Sequence, residues 1–271
     1  MSLISNRILL LFVLLTCCQA YHNPEFFIRN PFDTESPVRL TFPLRNKLLT
    51  INKASQVRPF TETELQCYQR HGVAVVFIRM NECRCERNEF RFYVDANIAD
   101  NVVSWFKSGI GFLGLYYVPC PKDAMNKTIT QQLHEVHAAV TDSFVSLPNI
   151  FMHIEESARC SGIDQFYANA KQNVVLLKAA IKAWNDLIDA SWDHGWGLIH
   201  SNQSAWSQLM NGSTEFKGAG IWYTHLNGKD TFDDWVDFGG WTKTNAVGKQ
   251  YQRNVDWFGC GPKVDQNVFL F

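Results

Sequence analysis

Residues 73–78, Val-Ala-Val-Val-Phe-Ile, form the stretch of sequence that decides the fold. A short, continuous run of apolar and mostly β-branched residues is typical of a strand that is buried on both faces of a parallel sheet. Thr61–Arg70 before it and Asp95–Phe106 after it have the spacing of amphipathic helices, and a second apolar strand, Gly111–Val118, follows. This alternation predicts a parallel sheet with helices packed outside it.

The same alternation extends toward both ends of the chain. Leu48–Ile51 is predicted to be the first strand. The later predicted helices are Ile129–Phe144, Ala168–Asp189 and Ala205–Leu209, and the later predicted strands are Asn149–Ile154, Gly195–Ser201, Gly220–His225, Ala246–Tyr251 and Val264–Phe269. So many units in one chain predict a single α/β domain, an irregular TIM-type (β/α) barrel, over residues 46–271. Chemistry in such barrels sits at the C-terminal ends of the strands.

The first twenty residues have the order of a secretory signal peptide. Arg7 precedes the apolar run of residues 8–15, and the small residues Cys18 and Ala20 stand at the cleavage-relevant positions. The apolar run is shorter than the roughly 20 residues that a spanning helix needs. We therefore expect a secreted, extracellular protein, with a signal peptide over residues 1–20 and an extended, proline-containing lead-in over residues 21–45.

Six cysteines remain after the signal peptide, and an even number in an exported chain predicts up to three disulfides. They are Cys67, Cys83, Cys85, Cys120, Cys160 and Cys260, and their pairing stays open. Glycosylation sequons at Asn126, Asn202 and Asn211 also fit an exported glycoprotein. No metal or other cofactor is expected, because the sequence lacks a zinc-ligand spacing and a phosphate- or dinucleotide-binding motif. A net charge of -1 argues against nucleic-acid and anionic-membrane partners.

Two strand ends carry residues suited to chemistry. His153 and Glu155 are two apart at the end of a strand and project to the same side. A carboxyl group at a barrel strand end is well placed to act as a general acid. At the end of a later strand, Trp222, Tyr223 and His225 combine aromatic rings with hydrogen-bonding groups, which predicts glycan contact.

Several motifs, in order along the chain, resemble the lysozymes of glycoside hydrolase family 25, specifically a secreted nematode type. They are Leu65-Gln66-Cys67, Phe77-Ile78-Arg79, Tyr116-Tyr117-Val118-Pro119-Cys120, Ile154-Glu155, Ile221-Trp222-Tyr223-Thr224-His225, Phe238-Gly239-Gly240-Trp241, Lys249-Gln250-Tyr251, Cys260-Gly261 and Val264-Asp265-Gln266-Asn267. The resemblance covers roughly residues 48–271. It implies an irregular barrel that cleaves peptidoglycan between N-acetylmuramic acid and N-acetylglucosamine.

The resemblance also implies a catalytic pattern that this chain keeps only in part. The family's first-strand Asp falls on Thr50, or on Asn52 if the register slips, and its late Asp falls on Asn227. Its Asp-x-Glu becomes His153-Ile154-Glu155, so Glu155, the family's general acid, is the one match. A neighbouring carboxylate raises the pKa of a general acid, whereas a protonated histidine lowers it.

Two hypotheses follow for a monomer whose expected partner is bacterial cell-wall peptidoglycan. The first is a lysozyme of antibacterial defence or bacterial digestion with degraded catalytic carboxylates. Full activity would need a substitute carboxylate, such as Asp193, Asp230, Asp233 or Asp234. The second is a non-catalytic relative that keeps the barrel as a glycan-binding or regulatory module. A second carboxyl group across the cleft from Glu155 would favour the enzyme.

Overall fold

A computed structural model describes residues 47–53, 58–141, 150–155, 159–188 and 197–270. The predicted signal peptide and lead-in lie outside the described residues. The strands are β1 Lys47–Lys53, β2 Val73–Arg79, β3 Asn81–Glu86, β4 Glu89–Val94, β5 Phe112–Tyr117, β6 Ile150–Ile154, β7 Arg159–Cys160, β8 Ile163–Asp164, β9 Gly197–Ser201, β10 Ile221–Thr224, β11 Ala246–Val255 and β12 Val264–Leu270. The α-helices are α1 Glu62–Arg70, α2 Ile98–Ser108, α3 Ile129–Thr141, α4 Ala170–Leu187 and α5 Gln203–Met210.

Eight of the strands close into a barrel in the order β1-β12-β11-β10-β9-β6-β5-β2. The predicted α/β barrel is thus confirmed. Neighbouring strands run parallel except at β12, which is antiparallel to both β1 and β11. The closing strand therefore starts at the end of the barrel where the parallel strands finish. This reversal brings the first residues of β12 to the end of the barrel where chemistry is expected.

Local sequence signals explain why the helices begin where they do. Thr61 caps α1 through a capping box with Glu64, and the apolar positions Leu65 and Tyr68 of that helix are buried. Asn169 caps α4, because the Asn169 side chain accepts a hydrogen bond from the backbone N–H of Lys171. The helices predicted from apolar spacing are confirmed, with ends that differ by a few residues.

The barrel interior is built in layers that follow the two-residue period of the strands. One layer is apolar and aromatic and contains Phe77, Phe151, Trp222 and Phe269, with ring centroids 4.6–5.7 Å apart. Gly248 leaves room for this layer, because a Cβ there would lie 2.5 Å from the Phe269 ring. Two residues further along the same strands, the interior becomes polar.

The β3–β4 hairpin, which the sequence did not predict, stands beside the polar end of the barrel and is held by two disulfides. Cys83–Cys120 joins it to the segment after β5, and Cys85–Cys160 joins it to β7. The third disulfide, Cys67–Cys260, joins α1 to the segment between β11 and β12. The expected three disulfides are therefore present, and two of them fix the hairpin as one wall of the cleft described below. Among the described residues, no helix is long and apolar enough to cross a membrane.

Candidate active site

A cleft of about 740 Å³ opens at the C-terminal ends of the barrel strands. Its lining comes from residues in or just after seven barrel strands, from the β3–β4 hairpin and from the segment after β8. The lining residues are Asn52, Arg79, Asn81, Glu82, Cys83, Arg84, Tyr116, Val118, His153, Glu155, Gln165, Phe166, His200, Gln250, Arg253, Asn254 and Asp265. Polar residues in and after the strands therefore meet at the end of the barrel where the sequence predicted that chemistry would sit.

Glu155 follows β6 directly, lines the cleft and is 7% exposed. Its Oε1 accepts a hydrogen bond from the Thr224 hydroxyl, and its Oε2 accepts one from the Arg253 guanidinium. Nε2 of His200 is 3.4 Å from Oε1, and Nε2 of His153 is 3.8 Å from Oε2. Both carboxylate oxygens are therefore engaged by groups that favour the ionised form.

This environment sets the protonation state of Glu155. Burial alone would raise its pKa, but attraction to His200 and His153 in their protonated forms, the Arg253 guanidinium and the Thr224 hydrogen bond outweigh burial and lower the pKa to about 2. A group with such a pKa is a carboxylate in neutral and mildly acidic solution. In this resting arrangement Glu155 can stabilise positive charge, but it does not hold the proton that a general acid must donate.

His153 and His200 form a pair beside Glu155. Their Nδ1 atoms are 2.8 Å apart, and Nε2 of His200 is 3.0 Å from the Thr224 hydroxyl oxygen. The His200 ring lies flat on the buried Trp222 indole at 3.7 Å between centroids. Burial lowers the pKa of both histidines, and lowers that of His200 furthest, although the Glu155 charge opposes the shift. The pair is therefore neutral at neutral pH.

A second buried carboxyl group, Asp265, lies on the opposite wall and is 8% exposed. Its Oδ2 accepts hydrogen bonds from the side-chain amides of Asn52 and Gln250, each at 3.1 Å, and its Oδ1 accepts from the Asn254 backbone N–H. Burial raises the pKa of Asp265, and the Glu155 charge adds to this, against these hydrogen bonds and Arg253. The cleft thus holds two carboxyl groups whose pKa values are shifted in opposite directions.

Arg253 and Asp265 are cleft residues that sequence reasoning missed. Two shifts of register interrupt the pairing of β11 with β12, between Gln250 and Gln252 and between Gln252 and Val255. Such irregularities re-aim side chains, so strict alternation does not place Arg253 beside Gln250, whose Oε1 accepts a hydrogen bond from Arg253 Nε at 2.7 Å. Asp265 was visible as the one acidic residue in the last predicted strand. The sequence pattern did not show that this strand is antiparallel to its neighbours, and this direction is what brings Asp265 to the cleft.

The predicted family positions separate in the structure. Asn52 lines the cleft, whereas Thr50 is fully buried two residues below it, deeper in the barrel. Asn227 is exposed outside the cleft lining, where its side-chain amide donates to Asp234 Oδ2 at 2.5 Å and its Oδ1 accepts from Lys249 Nζ at 3.1 Å. The structure therefore brings Asn52, rather than Thr50 or Asn227, together with His153 and Glu155.

The predicted glycan-contact residues also lie outside the lining of the cleft. Trp222 is fully buried beneath His200, so no face of its ring is exposed to a sugar. Tyr223 is 5% exposed, and its hydroxyl donates to Asp234 at 3.2 Å. His225 is exposed and its Nδ1 is 2.7 Å from Asp234 Oδ2. Trp222 therefore contacts the cleft residue His200, and the other two residues belong to a separate polar network.

That network surrounds the fully buried Lys249, whose ammonium group donates to Asp234, Asn227 and the Thr231 carbonyl. Asp234, one of the suggested substitute carboxylates, accepts hydrogen bonds from Lys249 and Asn227 in this network. Asp230 and Asp233 are also outside the cleft lining, and Asp193 lies outside the described residues.

One cluster of three potential metal-ligating side chains occurs in the described part of the chain, formed by Cys67, His71 and Cys260. Both cysteines form a disulfide and cannot bind a metal as thiolates.

A closed eight-stranded α/β barrel with two buried carboxyl groups in a cleft at its C-terminal end is an arrangement that glycoside hydrolases use. A family model described as lysozyme-like protein 1 matches residues 50–251, and the chain belongs to that family. The sequence resemblance to the family 25 lysozymes is thereby confirmed, while its nematode branch stays a prediction.

Individual relatives agree with this assignment. The chain is 26% identical over 210 residues to a protein named probable GH family 25 lysozyme 5 from Dictyostelium discoideum, covering 77% of this chain and 85% of that protein. It is 24% identical over 226 residues to probable lysozyme 2 of the same organism, covering 81% and 88%. Among solved structures, the Aspergillus fumigatus family GH25 lysozyme superposes with a TM-score of 0.58 at 14% identity, covering 83% of this chain and 94% of that chain. This last similarity supports the fold alone.

Proposed function

We propose that this chain is a secreted lysozyme-like protein that binds bacterial peptidoglycan in the cleft and cleaves it far more slowly than an intact family member. Its role would be antibacterial defence or the digestion of bacteria. The observation that carries the proposal is the engagement of Glu155 by Arg253 and Thr224, with a pKa of about 2. A general acid needs a pKa near the working pH, and this group remains ionised there.

The neighbouring positions support the same proposal. Where the resemblance implies acidic residues, the cleft has Asn52 and His153, neither of which can contribute negative charge. His153 also cannot raise the pKa of Glu155 by repulsion, as a second carboxylate would. Loss of one general acid–base group typically slows a reaction about 10²–10⁴-fold.

An active hydrolase is the second candidate, and Asp265 is the observation that favours it. It is a buried carboxyl group that lines the same cleft as Glu155, and Gln250 and Arg253 connect the two by hydrogen bonds. Glycosidases use such pairs, one group as acid and one as carboxylate. Burial raises the pKa of Asp265, which favours a role as the acid, whereas its three N–H donors stabilise the ionised form and oppose that role.

Export and glycosylation belong to the same proposal. The three disulfides support an oxidising compartment. Asn126 and Asn211 are exposed and adopt left-handed backbone conformations in loops, as accessible acceptor sites can. Asn202 is half-buried, and its side chain caps α5 by accepting from the Ala205 N–H. We therefore propose glycans at Asn126 and Asn211 ahead of Asn202.

The secreted protein, purified from the medium of a eukaryotic host, tests the proposal in two assays on insoluble peptidoglycan. We expect retention of the protein in the pellet, and release of reducing ends at least about 10²-fold slower than by an active family 25 lysozyme. Strong turnover that Glu155→Gln abolishes would contradict the proposal. Turnover that Asp265→Asn abolishes would instead establish the second candidate.

A matched pair of variants tests whether binding uses the cleft. Arg84 and Arg91 are directly opposite each other in the β3–β4 hairpin, but only Arg84 lines the cleft. We expect Arg84→Glu to weaken retention several-fold and Arg91→Glu to leave it unchanged. Equal retention of both variants with the wild type would place the glycan somewhere else.

A further inference from the structure

Hydrogen-bond geometry in the cleft fixes where His153 and His200 carry their protons when both are neutral. Nε2 of His200 faces the Thr224 oxygen at 3.0 Å and Glu155 Oε1 at 3.4 Å, and the Thr224 hydroxyl proton is donated to Glu155. Nε2 of His200 must then be the protonated nitrogen, since both of its neighbours accept there. Its Nδ1 is therefore an acceptor.

The tautomer of His153 follows from that of His200. Two nitrogens 2.8 Å apart have room for one proton between them, and since Nδ1 of His200 accepts, Nδ1 of His153 donates. This leaves Nε2 of His153 unprotonated, on a side chain that is 25% exposed to the cleft and 3.8 Å from Glu155 Oε2. The pair can thus take up one proton from solution at Nε2 of His153.

Uptake of that proton changes the partners of Glu155. The protonated Nε2 of His153 faces the same Oε2 atom that accepts from the Arg253 guanidinium, so the two cations compete for it. The Arg253 side chain is 38% exposed, whereas the Glu155 side chain is 8% exposed, so Arg253 is the partner that can turn toward a ligand. The cleft gains one positive charge on a group that contacts its open space.

We propose that His153 and Arg253 form a carboxylate-binding subsite that gains its full positive charge only in mildly acidic solution. This inference rests on the proposed function and assigns the ligand class, a glycan that carries carboxylate groups. Guanidinium and imidazolium groups bind carboxylates through charge-assisted hydrogen bonds. Neutral glycans of the same backbone gain nothing from the added charge.

The groups around His153 determine the direction of the pH effect. The titratable and charged residues that face it are Glu155, His200, Arg253, Arg79 and Tyr116. Burial lowers the pKa of His153, and Arg253 and Arg79 add to this, while Glu155 opposes it. Proton uptake therefore occurs below the ordinary histidine range, and it strengthens binding of acidic glycan as the pH falls.

Insoluble peptidoglycan and the same polymer with its carboxyl groups converted to amides are the probes for this subsite. We expect affinity for native peptidoglycan to rise about three- to tenfold from pH 7.5 to pH 5, because one added ion pair at a partly exposed site strengthens binding by roughly that factor. Affinity for the amidated polymer should stay constant. A rise that is equal for both polymers would overturn the subsite.

Variants assign the effect to named residues. His153→Gln keeps a polar side chain without a titrating group, and we expect it to abolish the rise in affinity between pH 7.5 and pH 5, measured against the variant's own affinity at pH 7.5. His134→Gln, on the exposed face of α3, is the matched control and should keep the rise. A rise that persists in a folded His153→Gln protein would refute the subsite. Arg253→Gln should bind native and amidated polymer alike at pH 5, and a retained preference for native polymer would also refute it.

The two proposals fail in different ways. If the wild type binds both polymers equally at every pH, the glycan-binding function stands and the carboxylate subsite is wrong. If it binds neither polymer at any pH, both are wrong. Circular dichroism and a melting curve for each variant distinguish a folded protein with altered binding from an unfolded one.

Discussion

The barrel interior has two adjacent layers that differ in what they do. The apolar layer, with Phe77, Phe151 and Trp222, packs ring against ring and is closed to solvent. The polar layer, two residues further along the same strands, has His153 after Phe151, Arg79 after Phe77 and Thr224 after Trp222. The first layer holds the strands together, and the second holds a network of charges and hydrogen bonds against the open cleft.

The difference between the layers shows how stability and function share one barrel. Apolar burial contributes to stability without needing a specific partner, whereas each buried polar group needs its own. Glu155, just after β6, therefore depends on Thr224 of β10 and Arg253 of β11, which lie two and three strands away in the barrel. The two layers meet where Trp222 stacks on His200, so the apolar layer also fixes the position of the histidine pair.

The largest effect is expected from Trp222→Ala in the apolar layer. Trp222 is fully buried, and replacing such a side chain by alanine typically costs about 3–5 kcal/mol through lost burial and a cavity. Urea denaturation at neutral pH should show this loss. Phe106→Ala, at a side chain that is 75% exposed, is the control and should change stability by less than about 0.5 kcal/mol. A small effect at Trp222 would mean that the polar network, rather than the rings, supports the barrel.

The sequence predicted the apolar layer and the barrel because both follow from local patterns. The continuous apolar run at residues 73–78 and the other apolar strand segments indicate burial directly from the sequence. The position of Glu155 at a strand end was found in the same way, since a strand end in a barrel faces the cleft whichever neighbours it has.

The partners in the polar layer could not be predicted in this way, since they depend on register and strand direction. Arg253 reaches Glu155 from a sequence distance of 98 residues, past irregular pairing in β11. Asp265 reaches the cleft because β12 is antiparallel to β1, where it is paired with Asn52. The resemblance directed attention to Thr50, with Asn52 as its alternative, and to Asn227. Of these three only Asn52 lines the cleft, together with Asp265, which the resemblance did not single out.

The next largest effect concerns acid stability in the polar layer. The folded-state pKa of Glu155 is lowered from 4.5 to about 2, so the carboxylate stabilises the fold above about pH 4.5, and this contribution is lost as the pH falls toward 2. The wild type should lose on the order of 3 kcal/mol more than Glu155→Gln over that interval. Denaturation curves from pH 6 to pH 2 measure the difference. Parallel curves for the two proteins would show that Glu155 is not held as a carboxylate.

The smallest effect is expected for Arg253→Met, which removes the cation but keeps most of the apolar stem. Glu155 stays buried without a full positive partner, while Thr224 still donates to it, so we expect a loss of about 1–2 kcal/mol at pH 7. Without Arg253 the pKa of Glu155 rises, so the loss should shrink as the pH falls toward 3. In a Glu155→Gln background the same change should cost close to nothing, because the charge that needs Arg253 is gone. An undiminished cost there would mean that Arg253 stabilises the barrel through Gln250 rather than through Glu155. The polar layer would then contribute to stability without the Glu155 charge, as the apolar layer does.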